Sequence, residues 1–190
     1  MTEADRKRKK AREMRKKTKI KKKRRYGDLV ILLPVIAFIG ILVIIYGPFF
    51  GGHEAPDFTI TDVQGRGTFQ LSKNHGKVVL IEFFSTTCEH CQSYQPTLNE
   101  IRNMYSDNTL TMISISASWA HDSEDSVRIY AEEKGINWYI APDMGSITDD
   151  YDVGPTPTTI IVDKDGTIVF RRSGIISQSV LTNEIDSLLS

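Results

Sequence analysis

The sequence is poor in the residues from which metal centres and disulfide scaffolds are built. It contains two cysteines, at positions 88 and 91, and four histidines. Structural zinc needs a full tetrahedral ligand set, usually two close pairs. Here there is no second Cys-x-x-Cys, and His53, His75 and His121 are scattered. A structural disulfide explains little, because bridging neighbours so close in sequence removes little chain entropy and staples no distant segments. Charge is absent from Leu29 to Phe50, a run of 22 residues, and no aromatic residue precedes Tyr26. No cysteine follows the run for lipid attachment, and no small-x-small site follows for cleavage.

What charge there is divides the chain. Residues 1–25 carry 15 Lys and Arg against 3 acidic residues, whereas residues 51–190 carry 9 basic and 20 acidic residues. The near-zero net charge averages these two regions. The apolar run between them is long enough, at ~33 Å as a helix, to cross a bilayer core of about 30 Å. Tyr46, Phe49 and Phe50 stand at its far end, where aromatic side chains meet headgroups. Positively charged flanks stay in the cytoplasm. Three regions are therefore expected: a disordered basic cytoplasmic tail at 1–27, a single uncleaved transmembrane anchor at 28–50, and an extracytoplasmic globular domain at 51–190. The expected location is the cell membrane, single-pass, with the N-terminus inside. The tail suits anionic lipid headgroups; without aromatic residues it does not suggest a folded nucleic-acid surface.

The outer region shows no internal repeat and no low-complexity segment. Phe58–Thr61 and Thr68–Leu71 read as a hairpin around Gln64-Gly65. Lys77–Phe84 is a nearly continuous apolar run, as in a strand buried on both faces. A helix follows Cys88 to about Tyr105, then a strand at Leu110–Ser116. A helix capped by Asp122 or Ser123 runs to Glu133 and ends at Gly135. A strand at Asn137–Ile140 and a short helix near Ile147–Tyr151 come next. Thr158–Val162 and Thr167–Arg171 form a strand pair around Asp163-Lys164-Asp165-Gly166, and a helix from Ser177 to Leu189 closes the chain. The pattern predicts an α/β fold with helices on both faces of the sheet.

Cys88-Glu89-His90-Cys91 falls where the buried strand gives way to a helix. A helix N-terminus carries partial positive charge and free N–H groups, which favour thiolate over thiol. Cys88 at the mouth is the expected nucleophile, and Cys91 is one turn inside, placed to resolve a mixed disulfide. His90, between them, is expected to stabilise the Cys88 thiolate. Glu82 interrupts the apolar run. A carboxylate there is costly unless protonated or paired, and burial would raise its pKa into the range of a group that exchanges protons with a thiol. Placement at a sheet edge, or pairing with a lysine, is the structural alternative.

Ala55-Pro56-Asp57-Phe58, Gly76-Lys77-Val78-Val79-Leu80-Ile81, the Cys-x-x-Cys, and Pro157-Thr158-Thr159-Ile160-Ile161-Val162-Asp163 with Asp165-Gly166 together resemble the TlpA/ResA branch of the thioredoxin superfamily. The resemblance covers Ala55 to Leu189. It implies a thioredoxin fold, with a mixed central sheet flanked by helices, an N-terminal hairpin and a central βα insertion, here preceded by a single transmembrane helix. It also implies disulfide exchange with protein partners outside the cytoplasm, with no cofactor or metal. By position, Pro157 matches the cis-proline facing the active-site disulfide, and with Thr156 it is expected to line the substrate groove. Glu82 matches the buried aspartate of thioredoxin. The sequence departs from the pattern at Thr87, where an aromatic residue is usual, at His90, where many relatives have proline, and at Tyr94, where ResA-type reductases have an acid. Two other thioredoxin-like functions fit less well. Copper chaperones of the Sco kind need Cys-x-x-x-Cys and a distal histidine, and none follows His121. A peroxiredoxin needs proline where this chain has Ile81.

Overall fold

The computed structural model describes Met14, residues 52–118 and residues 120–190. The basic tail and the apolar span expected from the sequence lie outside these residues, apart from Met14. Among the described residues no helix is long and apolar enough to cross a membrane.

Strand β3 (Val78–Phe84) organises the domain. All seven of its residues are buried, as its unbroken apolar character requires of a strand covered on both faces. It pairs in parallel with β4 (Leu110–Ser116) and antiparallel with β6 (Thr158–Val162). β5 (Tyr139–Pro142) extends the parallel side and β7 (Ile168–Ser173) the antiparallel side, giving the order β5-β4-β3-β6-β7. β1 (Thr59–Thr61) and β2 (Thr68–Gln70) form a separate two-stranded sheet. The thioredoxin-like mixed sheet and the hairpin expected from the sequence are both present. β5 begins two residues later than expected, because its register is set by the pairing of Tyr139 with Ile113. Pro142 can close it because β5 is an edge strand.

The two faces of the sheet are covered unequally. Helices α1 (Glu89–Met104), α2 (Glu124–Lys134) and α4 (Gln178–Leu189) pack Leu98, Ile101, Val127, Ala131, Leu181 and Ile185 against Val78, Leu80 and Phe84. The other face, carrying Val79, Ile81 and Phe83, is covered by Phe58, Ile60 and Phe69 of the hairpin and by Leu71. The short helix α3 (Ile147–Asp150) and Tyr151 complete that cover. Leu71–Asn74 forms a 3-10 turn that the sequence pattern did not suggest.

Two of the sheet-packed helices, α1 and α2, start on a side-chain cap. Ser123 accepts the amide of Ser126 and caps α2, while Gly135 ends it at φ 67°, a left-handed conformation that favours glycine. Asp122, the alternative cap, turns its side chain elsewhere. The cap of α1 is Cys88, whose sulfur accepts the amide of Cys91.

Candidate active site

Cys88 and Cys91 are joined as a disulfide across the first turn of α1, with Cα atoms 5.2 Å apart. The two sulfurs differ in environment. Cys88 is half-buried, whereas Cys91 is fully enclosed in the core under α1. The amide of Cys91 donates to Cys88 Sγ at 3.1 Å. That N–H is one of the free donors of the helix start, and in the reduced protein it would stabilise a thiolate on Cys88. Cys88 Sγ also lies 3.6 Å from the carbonyl oxygen of Thr156, and the Thr156–Pro157 peptide is cis. Pro157 is buried and Thr156 half-buried. The loop is held from behind, since Pro157 O accepts the amide of Gly174 at 2.7 Å and Pro155 O accepts the Thr158 hydroxyl at 2.7 Å. Thr87, Glu89 and His90 are exposed around Cys88.

Glu82 is neither at a sheet edge nor paired with a lysine. It lies in the central strand, opposite Ser114 of β4 and Thr159 of β6, and all three are fully buried. The Ser114 hydroxyl donates to Glu82 Oε2 at 2.6 Å, and the Gln95 amide reaches both carboxylate oxygens, at 2.9 and 3.1 Å. Ser114 in turn accepts the indole N–H of Trp138 at 2.9 Å. Tyr94, at the position where the resemblance implies an acid, places its hydroxyl 3.1 Å from Thr159 Oγ1. Burial pushes the Glu82 carboxyl up to about 7, against the opposing pull of the hydrogen bonds from Ser114 and Gln95. A carboxyl of that acidity can take up and return a proton at neutral pH. Burial also raises the hydroxyl pKa values of Tyr94 and Tyr130.

The segment before Cys88 is pinned by a buried aspartate. Asp122 accepts the Thr86 amide at 3.0 Å, the Thr86 hydroxyl at 2.5 Å and the Ser116 hydroxyl at 2.5 Å. Gln92 closes the other side by donating to Thr86 O at 3.1 Å. Sequence reasoning treated Asp122 only as a helix cap and did not single out Gln95, Ser114 or Trp138. For Gln95 a signal existed: it is four residues beyond Cys91 and therefore on the same helical face. Among the described residues no group of three or more His, Cys, Asp or Glu side chains is arranged to hold a metal ion.

Comparison with known proteins gives a consistent picture. Residues 51–171 match the model of the AhpC/TSA family. The thiol-disulfide oxidoreductase ResA of Bacillus thuringiensis (strain Al Hakam) is 31% identical over 158 residues, covering 79% of this chain and 88% of that protein. ResA of Geobacillus kaustophilus (strain HTA426) is 30% identical over 166 residues, covering 83% of this chain and 92% of its own length. Both alignments take in more of the chain than residues 51–190 contain, so the likeness runs back into the apolar segment. A solved thiol-disulfide isomerase from Corynebacterium glutamicum superposes with a TM-score of 0.64 at 25% identity, over 72% of this chain and 97% of that one. The resemblance expected from the sequence landmarks is thus met by curated relatives.

Proposed function

The chain belongs to the AhpC/TSA family, and on that premise we propose that it is a membrane-anchored thiol-disulfide oxidoreductase of the ResA type, acting on protein partners outside the cytoplasm. The observation that carries the activity is the setting of Cys88: a half-buried sulfur at the head of α1, accepting the Cys91 amide and facing the cis Thr156–Pro157 peptide. The anchor and its orientation rest on the uncharged run from Leu29 to Phe50 and the basic block before it. The reach of the ResA likeness into that run supports them.

In the reducing direction, the Cys88 thiolate attacks one sulfur of a substrate disulfide. A Cys88–substrate bond forms, and the other substrate sulfur leaves with the electron pair and takes a proton from solvent. Cys91 then gives its proton to Glu82 and attacks Cys88 Sγ. The Cys88–Cys91 disulfide forms, and the second substrate sulfur departs as a thiolate. Run backwards, the same steps oxidise a substrate dithiol. Thr156 and Pro157 line the groove in which the substrate sulfur approaches Cys88, and His90, exposed beside it, adds to the stabilisation of the thiolate.

The test is the full-length Cys91→Ser chain in intact cells. A membrane-impermeant thiol reagent should label its Cys88, and mixed disulfides with partner proteins should accumulate on non-reducing gels. Cys88→Ser should trap few. Trapping by Cys88→Ser alone would reverse the roles, and protection from the impermeant reagent would overturn the orientation.

A further inference from the structure

The polar row beneath α1 contains a group whose hydrogen bonding is incomplete. Glu82 in its ionised form is well served, with the Ser114 hydroxyl on Oε2 and the Gln95 amide on both oxygens. The protonated form is not. A carboxylic acid needs an acceptor for its O–H, and Ser114 is a poor one. The donor-only Trp138 indole already occupies one Ser114 lone pair, and the Ser114 hydrogen is committed to Glu82 itself. Gln95 is different, because an amide presents donors at one end and an acceptor at the other. Its Oε1 is buried and without a hydrogen-bond partner among the described residues, as is the hydroxyl of Tyr130. Buried polar atoms left unpaired call for an explanation. Rotation about the terminal bond of Gln95 would bring Oε1 to Glu82 and swing the NH2 group away from it. The Gln95 side chain acts on the acidity of Tyr130, so the two unpaired groups are neighbours.

We propose that Gln95 is the positioning residue for the Glu82 proton, turning its amide end for end as Glu82 gains and loses that proton. This rests on the reading of Glu82 as proton acceptor for Cys91. When Cys91 gives up its proton, the carboxylate becomes a carboxylic acid, and Gln95 exchanges its N–H donation for acceptance of the new O–H. When Glu82 releases the proton, the amide turns back. Four residues separate Gln95 from Cys91 along α1, so the residue that exchanges the proton and the residue that accommodates it share one helical face. The other titratable groups that sense Glu82 are Tyr94 of α1 and Tyr130 of α2, with Asp122 adding its charge at Tyr130.

The experiment measures disulfide-exchange rates of the full-length wild type, Glu82→Gln and Gln95→Met across roughly pH 5 to 9, a range bracketing thiol and raised carboxyl pKa values. The wild type should show an inflection near about 7, and Glu82→Gln should lose it. Gln95→Met keeps the volume but neither donates nor accepts through an amide. It should move the inflection upward by about one pH unit, because the carboxylate loses a charge-assisted hydrogen bond and the acid loses only a neutral one. If Glu82→Gln retains the inflection, Glu82 is not the acceptor and the underlying reading fails. If Glu82→Gln loses it and Gln95→Met leaves it in place, the Gln95 proposal alone fails. Should Gln95→Met not fold, the wild type decides. The Gln95 side-chain amide signals, followed by NMR, should titrate with the same midpoint and stay still in Glu82→Gln, and amide signals unmoved through the inflection would overturn the proposal.

Discussion

Replacing Glu82 by glutamine should change how the stability of this protein depends on pH. The folded state holds the Glu82 proton up to about 7, against 4.5 for an ordinary glutamate. Below 4.5 both folded and unfolded chains carry the proton, and the full favourable contribution is present. As pH rises from there, the unfolded chain releases its proton first, so stability falls until the folded protein has released its own, above about 7. At ~1.36 kcal/mol per pH unit, the gap amounts to about 3 kcal/mol. Glutamine at position 82 resembles the protonated acid in shape and charge and can use the Gln95 carbonyl in the same way, so it should not show this loss. The assay is urea unfolding of the oxidised proteins, in which the cysteines do not titrate, at intervals from about pH 4.5 to 8.5. Asp57 and Asp143 do not confuse the window. Hydrogen bonds from Gln70 and Ser72 hold the Asp57 carboxyl below the ordinary aspartate value, and hydrogen bonds from Thr148, Gly145 and Ile147 do the same at Asp143 against its burial. Their stabilisation is present above 3.8 and disappears only at lower pH. The wild type should lose about 3 kcal/mol relative to the variant across the interval. A difference between the two proteins that stays flat with pH would refute the placement of an ionising Glu82 in the core, and with it the proton-transfer step.

Two further outcomes are expected. Asp122→Ala leaves the Thr86 amide, the Thr86 hydroxyl and the Ser116 hydroxyl without their acceptor. It should cost about 2–4 kcal/mol in urea unfolding and slow disulfide exchange, and an unchanged exchange rate would show that the loop before Cys88 does not depend on this anchor. His90→Pro removes a side chain beside the Cys88 thiolate without disturbing the helix start, where proline is tolerated. The reduction potential, read by equilibration with glutathione and alkylation, should fall by tens of millivolts, using about 30 mV per 1.4 kcal/mol. The wild type should lie above the roughly −270 mV of thioredoxin, and equal potentials in variant and wild type would end the case for His90.

What the sequence made legible was whatever depends on near neighbours. The unbroken apolar run of β3, the alternation of strands and helices, the cap at Ser123 and the stop at Gly135 are all local signals, and each element appears within a residue or two of its expected limits. Glu82 stood out because it broke a run. Its partners did not, since Ser114, Gln95 and Trp138 meet it only through strand register and helix packing, and each is unremarkable in its own segment. Asp122 is the sharpest case. Its sequence context suggests a helix cap, yet its side chain joins the loop before Cys88, 36 residues earlier, because Ser123 already fills the capping position. The covering of one sheet face by three helices and of the other mainly by the hairpin was likewise invisible until the strand order was known.

The position of Glu82 on the central strand has an implication for how such a protein can be retargeted. On the proposed mechanism, proton handling takes place on an element hydrogen-bonded on both sides and shielded on both faces, whereas partner proteins would meet the exposed loop ends at Thr87 and Glu89 and the half-buried Thr156. The two sets of side chains share no residue. Docking preference can therefore be rewritten by substitution at the rim, in evolution or at the bench, while the acid–base machinery underneath keeps its acidity and its geometry.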